Sequence, residues 1–295
     1  MRVVIASDAL AGLEPAASSE VIARAFAERG VSVAVVPLAA TGRALREGIA
    51  TSAPDHVVAA PSTSEDLGDL LRGDPARLVL DLTAIRVDDL GRGALVGADP
   101  AAELAEIARR WRARELVALV PDDQVGQEFT GLNGFASTQL RSEGADLTAV
   151  LAADAEAGRW AALLGIDPAP GAGAARGLGL LVQGAGGTVT DPLSFLVDRF
   201  GLAATIAQAD LVVTGAESLD FHALGGPVVK RVAAMASEAL RPVIAVVGRN
   251  FVSARELRLG GFETAYPLVP GGSEENPTPE RLAEVAAHVA RTWQW

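Results

Sequence analysis

The chain has no cysteine among its 295 residues, which excludes disulfides and thiolate metal sites. Lysine occurs once, at Lys230, among 25 basic residues. Any phosphate-gripping charge must therefore come from arginine or from that single lysine. Aromatic residues make up only 4% of the chain, so alanine, valine, leucine and glycine carry the packing. No run approaches the roughly 18 uninterrupted apolar residues of a membrane span, and no membrane partner is expected. Met1-Arg2-Val3-Val4-Ile5 enters a strand-like run at once, without the apolar stretch and cleavage site of a signal peptide; a soluble, cytoplasmic protein is the expectation. Basic surface is scarce as well. The formal charge of −12 argues against attraction to nucleic acid or an anionic membrane through the general field.

What is present is an alternation of short β-branched runs with longer amphipathic segments. Strands are expected at residues 2–7, 31–36, 56–60, 77–82, 115–120, 211–214, 243–247 and 264–268. Helices are expected at 15–29, 100–114, 146–164, 228–240 and 279–293. Within 100–114, Leu104, Ile107 and Trp111 recur at helical spacing. Loops are expected at 61–69, 83–98 and 121–134, and a turn-rich connection at 270–279. Such alternation predicts parallel sheets covered by helices on both faces. The fully apolar strands lie near the two ends of the chain. The expected fold class is α/β, with two α/β domains. An open parallel-sheet domain of flavodoxin or Rossmann type is built from residues 1–50 and 197–295, and a second α/β domain, residues 51–196, is inserted into it.

Several motifs carry possible chemistry. Ser7-Asp8-Ala9-Leu10-Ala11-Gly12 follows the first strand; Asp8 there suits a metal, a hydroxyl or a cation, and equally a turn or a helix cap. The run Gly171-Ala172-Gly173-Ala174-Ala175-Arg176-Gly177-Leu178-Gly179 has almost no side-chain bulk, which allows close approach of either another chain segment or a ligand. It does not have the spacing of a Walker loop or a dinucleotide fingerprint. Thr214-Gly215-Ala216-Glu217-Ser218-Leu219-Asp220 is expected just past a strand end, where open α/β sheets bind ligands. His222, one of three histidines, lies near Asp220; the two would make a base pair or a surface turn. Asp122 and Asp123 would form a carboxylate pair for acid–base work or a surface turn.

The glycine-rich run and the 214–220 motif, in this order and about 40 residues apart, resemble the C-terminal half of the bacterial glycerate kinase family, whose members carry a GAGAAGGLG-type run and then TGEGRxDxQSxxGK. Thr214, Gly215, Leu219, Asp220, Leu224 and Gly226 match the second pattern, and Phe129-Thr130-Gly131-Leu132-Asn133-Gly134 is similar to the family's PLTGxxG segment. The resemblance implies ATP-dependent phosphoryl transfer to D-glycerate in a cleft between two domains. Asp8 and Asp220 would be catalytic and hold magnesium. Gly12, Gly131, Asn133, Gly134, Gly171, Gly173, Gly177, Thr214, Gly215 and His222 would line the ligands.

This chain departs from the family at charged positions. Ala11 and Pro227 stand where the family has lysine, Ser218 where it has arginine, and Ala40 and Ala216 where it has acids. Arg176 interrupts the glycine-rich run. The family's GGSATNDGG-type loop is missing: residues 115–120 run directly into Pro121-Asp122-Asp123-Gln124. Phosphoryl transfer depends on positioned charge. Two readings follow. One is a glycerate kinase using ATP and magnesium. The other is a catalytically inactive relative that binds a small anionic metabolite, or a protein partner. Oligomeric state is not legible in the sequence.

Overall fold

The computed structural model describes residues 1–293. Its described residues form two compact units, Met1–Ser52 with Leu196–Trp295, and Ala53–Phe195. Nine strands are present among them: β1 (Arg2–Ile5), β2 (Ser32–Val35), β3 (Val57–Ala59), β4 (Arg77–Asp81), β5 (Glu115–Leu119), β6 (Thr188–Thr190), β7 (Leu211–Leu219), β8 (Val243–Asn250) and β9 (Thr264–Pro267).

In the discontinuous unit the sheet order is β2-β1-β7-β8-β9, and every pairing is parallel. Numbered within that unit, this is 2-1-3-4-5, a doubly wound order that reverses direction between β1 and β7. Parallel strands need long crossovers, which helices supply. Helix Pro15–Ala27 is one of them. It starts on Pro15, whose missing N–H costs nothing in the first turn, and it buries Ile22 and Phe26. The core of this unit joins Val3, Ile5, Leu211, Val213, Ile244 and Val246 to the helical residues Ile22, Phe26, Leu282 and Val289.

The second unit has the order β3-β4-β5-β6, again all parallel. Helix Pro100–Trp111 is capped by Asp99, whose carboxylate accepts from Ala102 N at 3.0 Å. It buries Leu104, Ile107 and Trp111. The indole of Trp111 donates to the carbonyl of Leu71 at 2.8 Å, so its polar atom is satisfied where the ring is buried. Both sheets are thus parallel and helix-covered, as the alternation of segments predicted.

Two local expectations are corrected. Residues 61–69 are not a loop. A capping box between Thr63 and Asp66 starts helix Ser64–Arg72, and the Thr-x-x-Asp spacing was the available signal. The strand expected to end at Thr214 continues to Leu219, because β8 also runs on and pairs Ser218 with Arg249 and Leu219 with Asn250. The motif from Thr214 to Ser218 therefore lies inside a strand rather than beyond it. Strand β6, helix Gly42–Ser52 and helix Pro192–Phe200 were not anticipated, since each is short or interrupted by glycine.

Truncating Trp111 to alanine removes one of the two buried tryptophans of the second unit and leaves the Leu71 carbonyl without its donor. We expect a loss of about 3–5 kcal/mol, measured as a lower midpoint in urea with an unchanged slope.

Candidate functional site

At the reversal between β1 and β7 the chain after β1 continues alongside β7. Ala6 N donates to Val213 O and Asp8 N to Gly215 O, both at 2.9 Å. A Cβ at Gly215 would lie 2.5 Å from Val246 O and 2.7 Å from Ser7 Oγ. Only glycine fits between those neighbours. Asp8 is half-buried. Its Oδ1 accepts from Ala9 N at 2.7 Å, and the Ser7 and Ser18 hydroxyls donate to its carbonyl oxygen. Burial raises its carboxyl above the ordinary range, the Ala9 N–H opposes this, and the charge of Glu14 adds to it. Gly12, left-handed at φ +72°, donates its N–H to Glu217 Oε1 at 3.0 Å. Thr214 is fully buried, and its hydroxyl has no hydrogen-bond partner among the described residues.

Asp220 has a different local role. Its Oδ1 accepts from His222 N at 2.9 Å and Ala223 N at 2.7 Å, closing the turn before helix Gly226–Glu238. The Ala223 N–H is the main reason its carboxyl is held below the ordinary range, against some desolvation, with the His222 N–H adding to it. The His222 ring stands edge-on to Phe221, with centroids 5.6 Å apart. The hydrogen bonds between Asp220 and His222 run to backbone, not to the imidazole. No hydrogen bond joins Asp8 to Asp220 among the described residues.

In the inserted unit a cavity of about 540 Å³ opens beyond the C-terminal ends of β4 and β5. The glycine-rich loop that the resemblance led us to look for here is replaced by a single 3₁₀ turn, Asp122–Gln124. Thr83, Arg86, Gln124, Gln127, Thr138 and Gln139 contribute its polar wall, with Asp123, Asn133 and Arg176. The amides are ordered by one another. Gln139 Nε2 donates to Gln127 Oε1 at 2.5 Å, Gln127 Nε2 donates to the Thr138 hydroxyl, and that hydroxyl donates to Gly134 O at 3.0 Å. Gln124 Oε1 accepts from Ala175 N at 2.9 Å. Arg86 has one hydrogen bond, to the neighbouring Ile85 carbonyl, and no carboxylate partner among the described residues.

The glycine-rich run forms the back of this wall. Gly171 N and Gly173 N both donate to Gln127 O, at 3.0 and 3.1 Å. A Cβ at Gly173 would fall 2.0 Å from Glu128 O, so the run is glycine-rich here because two backbones touch. Ala175, Arg176 and Gly177 are all left-handed, at φ +50°, +58° and +94°. For the two residues with a Cβ this conformation costs on the order of 1–2 kcal/mol each. It explains why glycine suits position 176, where the family resemblance places one. Arg176 is held there by Glu143, both of whose oxygens accept at 2.7 Å, and by Asp88 at 2.6 Å. Gly131, also left-handed at φ +86°, donates to Asp154 Oδ1 at 2.7 Å, and Gly134 is buried.

The candidate residues thus fall into two groups. Asp8, Gly12, Thr214, Gly215, Asp220 and His222 belong to the discontinuous unit; Gly131, Asn133, Gly134, Gly171, Gly173 and Gly177 belong to the inserted one. Of the second group Asn133 lines the cavity directly. Sequence reasoning missed Arg86, Gln124, Gln127, Thr138 and Gln139, which have no fixed spacing. The one available signal was three glutamines within 16 residues after a buried strand.

In open parallel α/β sheets, ligands bind outside the C-terminal ends of the strands, where the polar groups of both units gather. Comparison with known proteins gives the family: the sequence model of the glycerate kinase family matches residues 87–294, and the chain belongs to that family. Two uncharacterized proteins, from Mycobacterium bovis and Mycobacterium tuberculosis, are each 28% identical over 231 residues, 75% of this chain. The matched region spans 59% of the length of those relatives. A crystal structure of a provisionally named glycerate kinase 2 from Salmonella typhimurium LT2 shares the fold, with a TM-score of 0.72, 20% identity and coverage of 99% of this chain and 98% of that one.

Family membership raises the question of ATP and magnesium. Asp8 and Asp220 are the carboxylates that would hold a magnesium ion, together with phosphate oxygens and water. Asp220 Oδ1 accepts two N–H groups of its own turn, and its Oδ2 takes no part in that turn. Asp8 is held toward its neutral form by burial. Among the described residues no three His, Asp or Glu side chains gather to hold a metal.

Three substitutions test this description. Gly173→Ala should cost at least about 3 kcal/mol through backbone overlap, read from chemical denaturation. Arg176→Gly should leave stability within about 1 kcal/mol, since relief of the left-handed strain offsets two ion pairs whose carboxylates are exposed. Asp8→Asn should raise the melting temperature at pH 7. A carboxyl whose value is raised on folding favours the folded state below its unfolded value and loses that contribution as pH rises. The advantage of Asp8→Asn should therefore shrink as pH falls through the carboxylate range, and a constant advantage down to pH 3 would contradict it.

Proposed function

We propose that this member of the glycerate kinase family binds a small anionic metabolite in the cavity beyond β4 and β5 and does not transfer phosphoryl groups. One observation carries the reading: Arg86 lines a polar cavity of about 540 Å³ with no carboxylate claiming it among the described residues. Pockets of this size with a few convergent polar groups are typical small-molecule sites. An arginine without a partner is suited to a carboxylate or phosphate. Support also comes from what phosphoryl transfer would require. That reaction relies on positive charge around the transferred group, whereas Ala11, Ser218 and Pro227 are uncharged.

A second reading has one observation in its favour. Asp8 and Thr214 lie at the β1/β7 reversal, where doubly wound sheets bind ligands, and the buried Thr214 hydroxyl has no partner among the described residues. Under it the chain would phosphorylate D-glycerate with ATP and magnesium, using Asp8 and Asp220.

Titration calorimetry with D-glycerate and with ATP–magnesium, alongside a coupled ADP-release assay, separates the two. The expected result is heat from small acids with no ADP release above background. ADP release that depends on D-glycerate and disappears in Asp8→Ala and Asp220→Ala would establish the second reading and remove the first.

A further inference from the structure

We infer that the cavity beyond β4 and β5 takes a polyhydroxylated monocarboxylic acid longer than three carbons, of the sugar-acid class. Arg86 would receive the acid group, and the glutamine wall would read the hydroxyls. The inference rests on the proposed anion-binding reading and specifies the ligand.

Charge comes first. Two arginines and two carboxylates line the cavity: Arg86, Arg176, Asp123 and Glu143. Arg176 is spent on Glu143 and Asp88. That leaves Arg86 and Asp123, neither of which makes an ion pair among the described residues. One open cation and one open carboxylate in the lining suit a ligand with a single negative charge. It opposes a polyanion such as a nucleoside triphosphate, whose further charges would face Asp123 uncompensated.

Hydrogen-bonding chemistry comes next. A ligand hydroxyl donates one hydrogen and accepts others. Asp123 can only accept, Arg86 can only donate, and the side-chain amides do both. The relay from Gln139 through Gln127 to Thr138 ends on a backbone carbonyl, which fixes the orientation of each amide. Such chains polarise one another and strengthen the bonds at their ends. Gln124 is fixed independently, because its oxygen is held by Ala175 N; its NH₂ group has no protein partner among the described residues. The wall therefore holds both donors and acceptors in fixed orientations, which suits a chain of hydroxyls better than an apolar ligand.

Size decides the length. Pockets of roughly 300–1,000 Å³ take ligands of drug size. A three-carbon hydroxy acid would leave most of a cavity of about 540 Å³ to water.

The test is titration calorimetry on the full chain with D-gluconate, D-galactonate and D-glucuronate, compared with D-glycerate, D-glucitol and glucose 6-phosphate. At least one six-carbon acid should bind tenfold or more tightly than D-glycerate, and tenfold or more tightly than the uncharged D-glucitol. Arg86→Ala, at an exposed position, should fold normally by circular dichroism and lose tenfold or more in affinity for that acid while leaving the weak D-glucitol binding unchanged. Gln124→Ala should weaken both. If D-glycerate binds as tightly as the six-carbon acids, the inference falls and the anion-binding reading stands. Tighter binding of glucose 6-phosphate overturns the single-charge argument in the same way. If no acid binds, both fall. Affinity for a six-carbon acid that survives Arg86→Ala places its binding elsewhere and also overturns the inference.

Discussion

The inserted unit is organised by a contact between two stretches of backbone. Residues 171–173 lie directly on residues 127–128, with Gly171 and Gly173 both donating to the Gln127 carbonyl. No side chain fits between them, as the 2.0 Å approach of a notional Cβ at Gly173 to Glu128 O makes plain. The contact has two consequences for the cavity. It fixes the main chain of Gln127, whose side chain is the middle member of the hydrogen-bond relay. It also sets the start of the left-handed run at 175–177, whose first N–H holds Gln124. Packing and recognition therefore share one element. A glycine-rich run of this kind serves a ligand by positioning the residues around it, without having to touch that ligand itself.

The left-handed run also shows how a departure from a family pattern is accommodated. Arginine at 176 brings a conformational cost that glycine would avoid. The side chain compensates by gathering Glu143 and Asp88, which come from separate segments. Exposed ion pairs contribute little individually, so their larger effect is on charge. They neutralise one of the two arginines of the cavity and leave Arg86 as the open cation.

The discontinuous unit presents the reverse situation. Its strand order has the reversal at which this class of sheet binds ligands, and Asp8 stands there. Yet Asp8 is opposed by burial and by the negative charge of Glu14 rather than supported by a cation. Glu217, displaced by one position from the acid that the family resemblance leads one to look for, serves the N–H of Gly12. Asp220 serves its own turn. One oxygen of each of these carboxylates is taken up by a backbone N–H.

The sequence by itself determined the α/β alternation, the parallel sheets and the family. Those follow from period and composition: β-branched runs too apolar for an exposed face, and a helix such as 100–111 whose capping aspartate and spaced Leu104, Ile107 and Trp111 leave no other choice. It also marked 171–179 as a place of close approach, because glycine density is a local property. It could not say what approaches. Only the tertiary structure decided that the neighbour of Gly173 is backbone, that the strand through Thr214 runs on to Leu219 beside β8, and that Arg86 and three glutamines face one space. Residues far apart in the chain meet there through loops that have no periodicity, and a loop's path is set by what it packs against rather than by its own sequence.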